Sequence, residues 1–555
     1  MTTPVLPPDI HDAVAEAQRR TDAADQRIWI TRAVPDEIAD QAIGATGPLA
    51  GRLVAVKDNI DVAGMPTTAG CRAFMYSPDA DADAVAAIRR AGAVIVGKTT
   101  MDMFATGLTG TRGPDGPLEC ALAPQVISGG SSSGSALAVA HGLVHIGIGT
   151  DTAGSGRVPA ALNGIVGFKP TRGLVSTLGV VPACRSLDCV SIFTRTVDEA
   201  LQALGHCITT APMAPRAAVS IRAVGAPRIG VPSPSMLPDV SEEAWSLYLT
   251  AVERCAAAGM TIVEIDVTAL LAAGRLLYEG PWVAERTAAV GAFVADHPND
   301  VDPVVREVIL AGRERSAVDA YIGTYRLDEL IAASQPIWDS VDSVLLPTVD
   351  VAPTLDEVQR DPHGVQARLG VYTNFVNLMD LCAVSVPAGR WASSAGFGVQ
   401  FIAPAYADAT IGAIASRFER QGDGEWVRVC VVGAHLRGQP LNWQLTDRGA
   451  RFVEQTETAD VYELYALAGT TPAKPGLVRV DDGGRPIEVE LWELPTDAFG
   501  SFVAQIPQPL GIGTVELADG SMVAGFICEP VGLAGATPIT QFGGWRAYLA
   551  AGGPA

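Results

Sequence analysis

The chain has 555 residues, of which 48% are hydrophobic and 18% charged, and its formal net charge is -22. This length exceeds one ordinary domain and the apolar content is ample for a large core, so we expect two domains, one of them large. The acidic charge argues against nucleic acid or an anionic membrane as a partner, since both require a basic surface.

The first ten residues contain three prolines and no basic segment followed by an apolar one. This is not the pattern of a secretory signal peptide, and no run of about 18 residues is apolar enough to span a membrane. We therefore expect a soluble, cytoplasmic protein. The nine cysteines show no C-x-x-C pair and no neighbouring histidine cluster. We interpret them as reduced, mostly buried thiols and expect no zinc, no disulfide framework and no cofactor.

The first motif along the chain is an apolar run that ends in a lysine. Residues 53–56 predict a buried strand, and Lys57 follows directly. A lone lysine at the end of a strand is ordinarily a surface residue. In an apolar setting, however, burial lowers its pKa, and a neutral lysine can act as a base.

An alternation of helices and strands follows. Residues 79–90 predict a helix with an aspartate-rich first turn, and residues 93–96 predict a β-branched strand. The order recurs after Thr196 and Glu199, which have the spacing of a capping box, and again over residues 227–267. Such alternation predicts an α/β domain in which a mixed sheet is covered by helices on both faces.

Two glycine- and serine-rich segments are each bounded by apolar residues. Residues 129–135 read GGSSSGS and precede a small apolar run, whereas residues 150–157 read TDTAGSGR and follow a β-like run at 144–148. Such segments are most often flexible linkers. The apolar residues on either side favour tight turns instead, with Ser131 and Ser155 on separate turns.

The chain resembles the amidase signature family. The similarity lies in GRLVAVKDNI at 51–60, the GGSSSGS segment and the TDTAGS segment, which occur in the family's order. It extends over roughly the first three quarters of the chain. Because the family uses a Ser-cisSer-Lys triad, the resemblance implies that Ser155 is the nucleophile, Ser131 the bridging serine and Lys57 the base. It also implies that Gly130 lies at the substrate.

The residue types allow this chemistry independently. A serine hydroxyl needs an adjacent base to become nucleophilic, and Ser-Lys pairs are one accepted arrangement. Backbone N–H groups on a glycine-rich turn can converge on an oxyanion. Asp151 and Arg157 are interpreted as residues that hold the loop. We assign the oxyanion hole to four consecutive amides, those of Thr152, Ala153, Gly154 and Ser155.

A narrower resemblance, to the allophanate hydrolases within this family, rests on VVPACRSLDC at 180–189 and SGRVP at 155–159. Residues 278–286, YEGPWVAER, match in type and spacing the substrate-binding tyrosine and arginine of those enzymes. The resemblance therefore implies binding roles for Tyr278 and Arg286. Allophanate carries a planar carboxylate, which a guanidinium can bind through two parallel hydrogen bonds.

A purely structural interpretation of this segment stays open from the spacing alone. Tyr278 also fits an amphipathic helix. Arg286 also fits a surface ion pair with Glu285 or Glu279.

The character of the sequence changes near residue 424. A charged helix end at 417–420 is followed by Gln-Gly-Asp-Gly. We predict an amidase domain at 1–424 and a second domain at 425–555, an ordinary size for one core. Short β-rich runs separated by turns then occur at 427–432, 477–480, 487–492 and 522–527.

The second domain resembles the C-terminal domain of allophanate hydrolases in VVGAHL at 431–436, PLGIG at 509–513 and FGGWRAY at 542–548. That domain is similar to the gamma-glutamyl cyclotransferase fold, a small α+β unit, and the resemblance implies a part in decarboxylating the amidase product. His435 is the only histidine after residue 363. We take it as a candidate catalytic residue; the other interpretation is a structural histidine that follows a strand.

Three functions remain. The first is hydrolysis of allophanate to ammonia and carbon dioxide; the second is hydrolysis of another small amide; the third is a non-catalytic or ammonia-channelling subunit. The intact triad disfavours a non-catalytic role, and the C-terminal extension disfavours the channelling role. The resemblance also implies a homodimer.

Overall fold

The computed structural model describes residues 24–43, 45–208, 226–237, 240–421, 426–448 and 450–553. They divide into two compact units, one made of the described residues up to 421 and one of those from 426 onward. Residues 1–23, at which no signal peptide is predicted, lie outside the described residues. The Gly-Asp-Gly sequence at 422–424, next to the predicted domain boundary, also lies outside them.

Within the described residues, the larger unit contains an eleven-stranded sheet that mixes parallel and antiparallel neighbours. Its central strands Leu53–Lys57 and Ile146–Asp151 are parallel and entirely buried, so both faces of the sheet are covered there. In order across the sheet, the strands are Trp29–Arg32, Val94–Thr99, Leu53–Lys57, Ile146–Asp151, Cys189–Thr194, Val166–Lys169, Leu381–Arg390, Gly396–Pro404, Ser343–Pro347, Arg228–Pro232 and Thr261–Ile265. This confirms the predicted mixed α/β sheet.

Helices fill the connections of this unit, and a short hairpin of Glu119–Cys120 and Ala123–Ile127 lies outside the sheet. The described helices are Pro35–Ala42, Asp83–Arg90, Ser133–Ala140, Val158–Leu162, Val197–Cys207, Glu242–Ala257, Thr268–Glu279, Val283–Asp296, Pro303–Leu310, Ala317–Ser340, Leu355–Arg360, Pro362–Gly370, Asn374–Leu378 and Asp408–Glu419.

One predicted helix start and one predicted capping box differ from the structure. The helix predicted over residues 79–90 begins at Asp83, because the Asp81 carboxylate accepts the Ala63 amide and holds the preceding residues against a neighbouring loop. The capping box is incomplete. The Thr196 hydroxyl caps the helix by accepting the Glu199 amide, but the Glu199 carboxylate pairs with Arg52 instead.

The C-terminal unit is β-rich. In residues 426–448 and 450–553, a five-stranded sheet has the order Arg451–Glu457, Glu488–Pro495, Trp426–Val431, Met522–Cys528 and Leu510–Glu516. A three-stranded sheet has the order Pro475–Arg479, Tyr462–Ala466 and Thr537–Pro538. The described helices are Trp443–Thr446, Thr496–Val503 and Trp545–Ala550. One apolar core that includes Val429, Leu491 and Trp545 joins these elements, so this unit has a core of its own.

Two further features bear on the sequence predictions. All nine cysteines fall within the described residues, where they are free and buried, which confirms their predicted burial. None of the helices described in either unit is both long enough and apolar enough to cross a bilayer.

Candidate active site

Lys57 lies at the end of a central strand, inside the larger unit. Its side chain is fully buried. The Lys57 Nζ lies 2.8 Å from the Ser131 Oγ and 2.7 Å from the Thr150 Oγ1. The alternative of an exposed strand-end lysine is therefore wrong.

Ser131 joins the lysine to Ser155. The Gly130–Ser131 peptide bond is cis, and the Ser131 Oγ lies 3.0 Å from the Ser155 Oγ. Lys57, Ser131 and Ser155 thus form one continuous chain of hydrogen bonds. A hydroxyl can donate or accept, so the same chain carries a proton in either direction.

Burial sets the charge state of Lys57. It lowers the pKa of the Lys57 amine from 10.5 to about 7. The carboxylates of Asp102, Asp188 and Asp151 oppose this shift. A substantial fraction of the amine is therefore neutral near pH 7 and can accept a proton.

Thr150, which the sequence analysis places in a turn, also contacts Lys57. The strand predicted to end at Ile148 continues to Asp151, because Thr150 and Asp151 pair with Val190 and Cys189 of the neighbouring strand. The longer strand brings the Thr150 hydroxyl to the amine. The contact between Thr150 and Lys57 follows from this cross-strand pairing, and no local sequence motif indicates it.

Asp151 organises the loop that carries Ser155. Its carboxylate accepts the Gly154 amide at 2.9 Å and the Gly156 amide at 3.0 Å. Arg157 binds the same carboxylate through Nε and Nη2, at 2.9 and 3.0 Å, and both side chains are fully buried. Burial raises the pKa of Asp151, but the Arg157 charge and hydrogen bonds outweigh it and hold that pKa below its ordinary value.

The contact with Asp151 corrects one part of the predicted oxyanion hole. Because the Gly154 amide already donates to a carboxylate, it is not free to stabilise an oxyanion. Among the described residues, no acceptor engages the amides of Thr152, Ala153 or Ser155. Three of the four predicted donors thus remain available.

Thr373 closes against the same loop from a distant part of the chain. Its Oγ1 donates to the Ala153 carbonyl at 2.6 Å. Gly154 has a φ of 130°, and a Cβ there would lie 2.4 Å from the Thr373 Oγ1. The Asn377 side-chain amide donates to the Asp151 carbonyl at 2.8 Å. These side chains fix the loop and were not indicated by any local motif.

The predicted substrate residues lie together. The Arg286 guanidinium carbon is 5.7 Å from the centre of the Tyr278 ring, and the Arg286 Nη1 donates to the Thr106 Oγ1 at 3.2 Å. Arg286 is 3% exposed. Glu285 instead accepts from Ser186, so the alternative of a surface pair between Arg286 and Glu285 is wrong.

A chain of hydrogen bonds connects this pair to the serine loop. The Gly130 amide donates to the Leu108 carbonyl at 2.8 Å, and the Leu108 amide donates to the Gln366 Oε1 at 2.7 Å. The Gln366 Nε2 then lies 3.4 Å from the Tyr278 hydroxyl. The amide of Gly130 is therefore occupied. Its carbonyl oxygen accepts no hydrogen bond from any described residue.

His435 lies in the C-terminal unit. It is 8% exposed, stacks on Phe526 with 4.7 Å between ring centres, and its Nε2 lies 2.9 Å from the Gln444 Oε1. Burial lowers the pKa of His435 to about 4, so the ring is neutral at neutral pH. Its apolar surroundings disfavour the charged form, so His435 does not titrate near neutrality as a histidine ordinarily does.

Each of the two units matches a known protein family. The amidase family model matches residues 12–411, and the model of the allophanate hydrolase C-terminal domain matches residues 427–550. The urea amidolyase of Saccharomyces cerevisiae is 41% identical over 545 residues, covering 91% of this chain and 30% of that protein. The chain thus spans less than a third of the urea amidolyases that it matches.

Shorter relatives match more of their own length. One subunit of the glutamyl-tRNA(Gln) amidotransferase of Natronomonas pharaonis is 34% identical over 413 residues, covering 67% of this chain and 97% of that relative. The solved structure of selenomethionine-substituted Kluyveromyces lactis allophanate hydrolase aligns with a TM-score of 0.68 at 36% identity, covering 98% of this chain and 97% of that one. The chain therefore belongs to the amidase family and carries an allophanate hydrolase C-terminal domain.

Proposed function

We propose that this chain hydrolyses allophanate, urea-1-carboxylate, to ammonia and carbon dioxide. The observation that carries the proposal is a continuous Lys57–Ser131–Ser155 relay whose serine loop is connected through hydrogen bonds to Tyr278, beside which the buried Arg286 lies. The relay suits amide hydrolysis, and the arginine suits an anionic amide. Relatives named allophanate hydrolase and urea amidolyase support the same substrate.

The relay activates Ser155 in the first step. Neutral Lys57 accepts a proton from Ser131, which accepts one from Ser155, and the Ser155 Oγ attacks the terminal amide carbonyl. All three atoms are already at hydrogen-bond distances. Returning the proton to the leaving nitrogen releases ammonia and leaves an acyl-enzyme, which water hydrolyses through the same relay to N-carboxycarbamate.

The amides of Thr152, Ala153 and Ser155 are proposed to hold the oxyanion that forms at this carbonyl. They belong to a loop that Asp151 fixes through two amides and Arg157, so the donors are held in place before the reaction. Fixed donors stabilise a developing charge at no reorganisation cost.

Arg286 is proposed to bind the substrate carboxylate, with Tyr278 beside it. A buried guanidinium is unfavourable unless it is paired. Within the described residues Arg286 has one hydrogen bond, to Thr106, and no carboxylate within ion-pair distance, while the Asp188 carboxyl group interacts with it only at longer range. Nη2 and Nε can form the parallel pair of hydrogen bonds that a carboxylate accepts. The free Gly130 carbonyl is proposed to accept from a substrate N–H.

Residues 425–555 are proposed to speed decarboxylation of N-carboxycarbamate. The match to the allophanate hydrolase C-terminal domain supports this assignment and a boundary at 424/425. His435 is proposed to act there as a neutral group: donation from Nε2 to the Gln444 Oε1 leaves Nδ1 as an acceptor. The expected cytoplasmic location and homodimer belong to the same proposal, and sedimentation of the purified chain tests the latter.

The test is ammonia release from allophanate, malonamide and benzamide. We expect kcat/KM for allophanate to exceed that for either neutral amide by at least about tenfold. Ser155→Ala should lower turnover about a thousandfold or more, while the control Ser393→Ala, at an exposed serine, should leave it unchanged. Equal or faster turnover of a neutral amide would overturn the choice of substrate.

A further inference from the structure

A small cavity in the C-terminal unit contains one basic side chain. The cavity has a volume of about 40 Å³, and apolar groups form most of its wall. Its polar side chains are His435, Gln444, Lys474 and Gln505. Lys474 is the one lysine or arginine among the described residues that line it.

The backbone around Lys474 is fixed between two strands, Tyr462–Ala466 and Pro475–Arg479. The Lys474 amide donates to the Thr470 Oγ1 at 3.0 Å, and its carbonyl accepts the Leu467 amide at 3.0 Å. The lysine is therefore held by its main chain rather than by its ammonium group.

A close approach at Gly433 brings this turn against the one that carries His435. A Cβ at Gly433 would lie 2.2 Å from the Pro475 Cδ. The glycine thus lets Lys474 and His435 line the same small space. The two side chains are also close enough to interact. Burial is the largest cause that lowers the pKa of His435, and the Lys474 charge lowers it further.

The ammonium group has no counter-ion in the part of the chain that the structure describes. No carboxylate there lies within ion-pair distance of the Lys474 Nζ, and no hydrogen-bond acceptor engages it. Lys474 is half-buried, and burial lowers its pKa. A cation against apolar walls without a partner is a natural site for an anion.

We propose that Lys474 binds a carboxylate of N-carboxycarbamate and thereby selects the substrate of the second reaction. This inference rests on the proposed function. N-carboxycarbamate has two carboxylates on one N–H, so a lysine and the neutral acceptor Nδ1 of His435 complement its two kinds of group.

The step balances without an added reactant. One C–N bond breaks, carbon dioxide leaves, and the bonding pair stays on nitrogen. The nitrogen then takes one proton, which the preceding hydrolysis of the acyl-enzyme released, and carbamate results. In this scheme Lys474 holds the carboxylate that stays on nitrogen while the other leaves.

The first experiment uses full-length Lys474→Gln, with ammonia and ¹³C-labelled carbon dioxide followed separately at alkaline pH, where spontaneous breakdown is slow. We expect ammonia release in the first turnover at the wild-type rate, and carbon dioxide release slowed about tenfold or more while N-carboxycarbamate accumulates in the ¹³C NMR spectrum. Lys474→Arg should restore most of the rate. The control Arg428→Gln removes an exposed charge of the same unit and should change neither product.

The second experiment measures binding directly with malonate, in which CH2 replaces the NH of N-carboxycarbamate. Malonate should shift the His435 imidazole resonance of the wild-type chain, and Lys474→Gln should abolish that shift. Carbon dioxide release at the wild-type rate together with an unchanged malonate shift in Lys474→Gln would overturn the inference. A wild-type chain that releases no ammonia from allophanate would overturn the proposed function instead, and the malonate shift would still decide whether Lys474 binds the dicarboxylate.

Discussion

Replacing Lys57 with methionine should abolish hydrolysis and yet stabilise the amidase unit near neutral pH. Methionine has a similar length but cannot carry charge, so it removes the cost of placing an ammonium group in a fully buried site. It also removes the amine that is proposed to act as the base of the relay. Activity and stability should therefore change in opposite directions.

The size of the effect follows from the pKa of Lys57, 10.5 ordinarily and about 7 in the folded protein. Between these pKa values the unfolded chain binds more protons than the folded one, so the stability of the wild-type protein rises with pH across this window. Below pH 7 the full free-energy cost of burying the Lys57 amine is present. Linkage gives a cost of about 4 kcal/mol at pH 7 and about 2 kcal/mol at pH 9. Losing two hydrogen bonds, to Ser131 and Thr150, offsets about 2 kcal/mol.

Lys57→Met should thus be about 2 kcal/mol more stable than wild type at pH 7 and about equal to it at pH 9. The measurement is the free energy of opening from hydrogen exchange of peptides that cover Leu53–Lys57, at both pH values. Ser155→Ala is the control, because it is inactive but keeps the lysine, and its stability relative to wild type should not depend on pH. A Lys57→Met chain destabilised equally at pH 7 and pH 9 would refute the reasoning.

Three further outcomes follow from the site. Ser131→Ala should lower kcat strongly while KM stays nearly unchanged, because the relay is cut but the substrate contacts remain; a rise in KM alone would make Ser131 a binding residue. Arg286→Lys keeps the charge but loses the planar fork, so kcat/KM should fall at least about tenfold more for allophanate than for malonamide, and equal losses would contradict a carboxylate role. Gly154→Ala should cost about 2 kcal/mol or more of stability in thermal unfolding, because its Cβ meets the Thr373 Oγ1 at a φ of 130°; an unchanged melting temperature would contradict this.

The sequence predicts best where the information is local. Lys57, Ser131 and Ser155 each lie in a short motif whose glycines and apolar neighbours indicate a tight turn or a buried strand. The mixed sheet likewise follows from alternating local patterns. These predictions depend on a few adjacent residues, so they do not require knowledge of how the rest of the chain folds.

The remainder depends on contacts that no local pattern reveals. Thr150 reaches Lys57 because of cross-strand pairing, and Thr373 reaches the loop that carries Ser155 from more than two hundred positions away. The charge state of His435 is set by aromatic packing from Phe502 and Phe526, which only the folded unit brings together. Titration depends on such surroundings, so residue type alone does not determine the charge state of His435.

The hydrogen bonds that run from Gly130 through Leu108 and Gln366 to Tyr278 have a consequence for engineering this enzyme. The backbone of one residue, Leu108, is hydrogen-bonded on one side to the Gly130 amide, next to Ser131, and on the other to Gln366, which reaches the Tyr278 hydroxyl. A substitution that moves Tyr278 or Gln366 should therefore also shift Gly130 and Ser131, and so change the distances along the proposed proton relay. Variants selected for new amides should accordingly lose rate first, and recover it through second changes near Gln366 rather than at the triad.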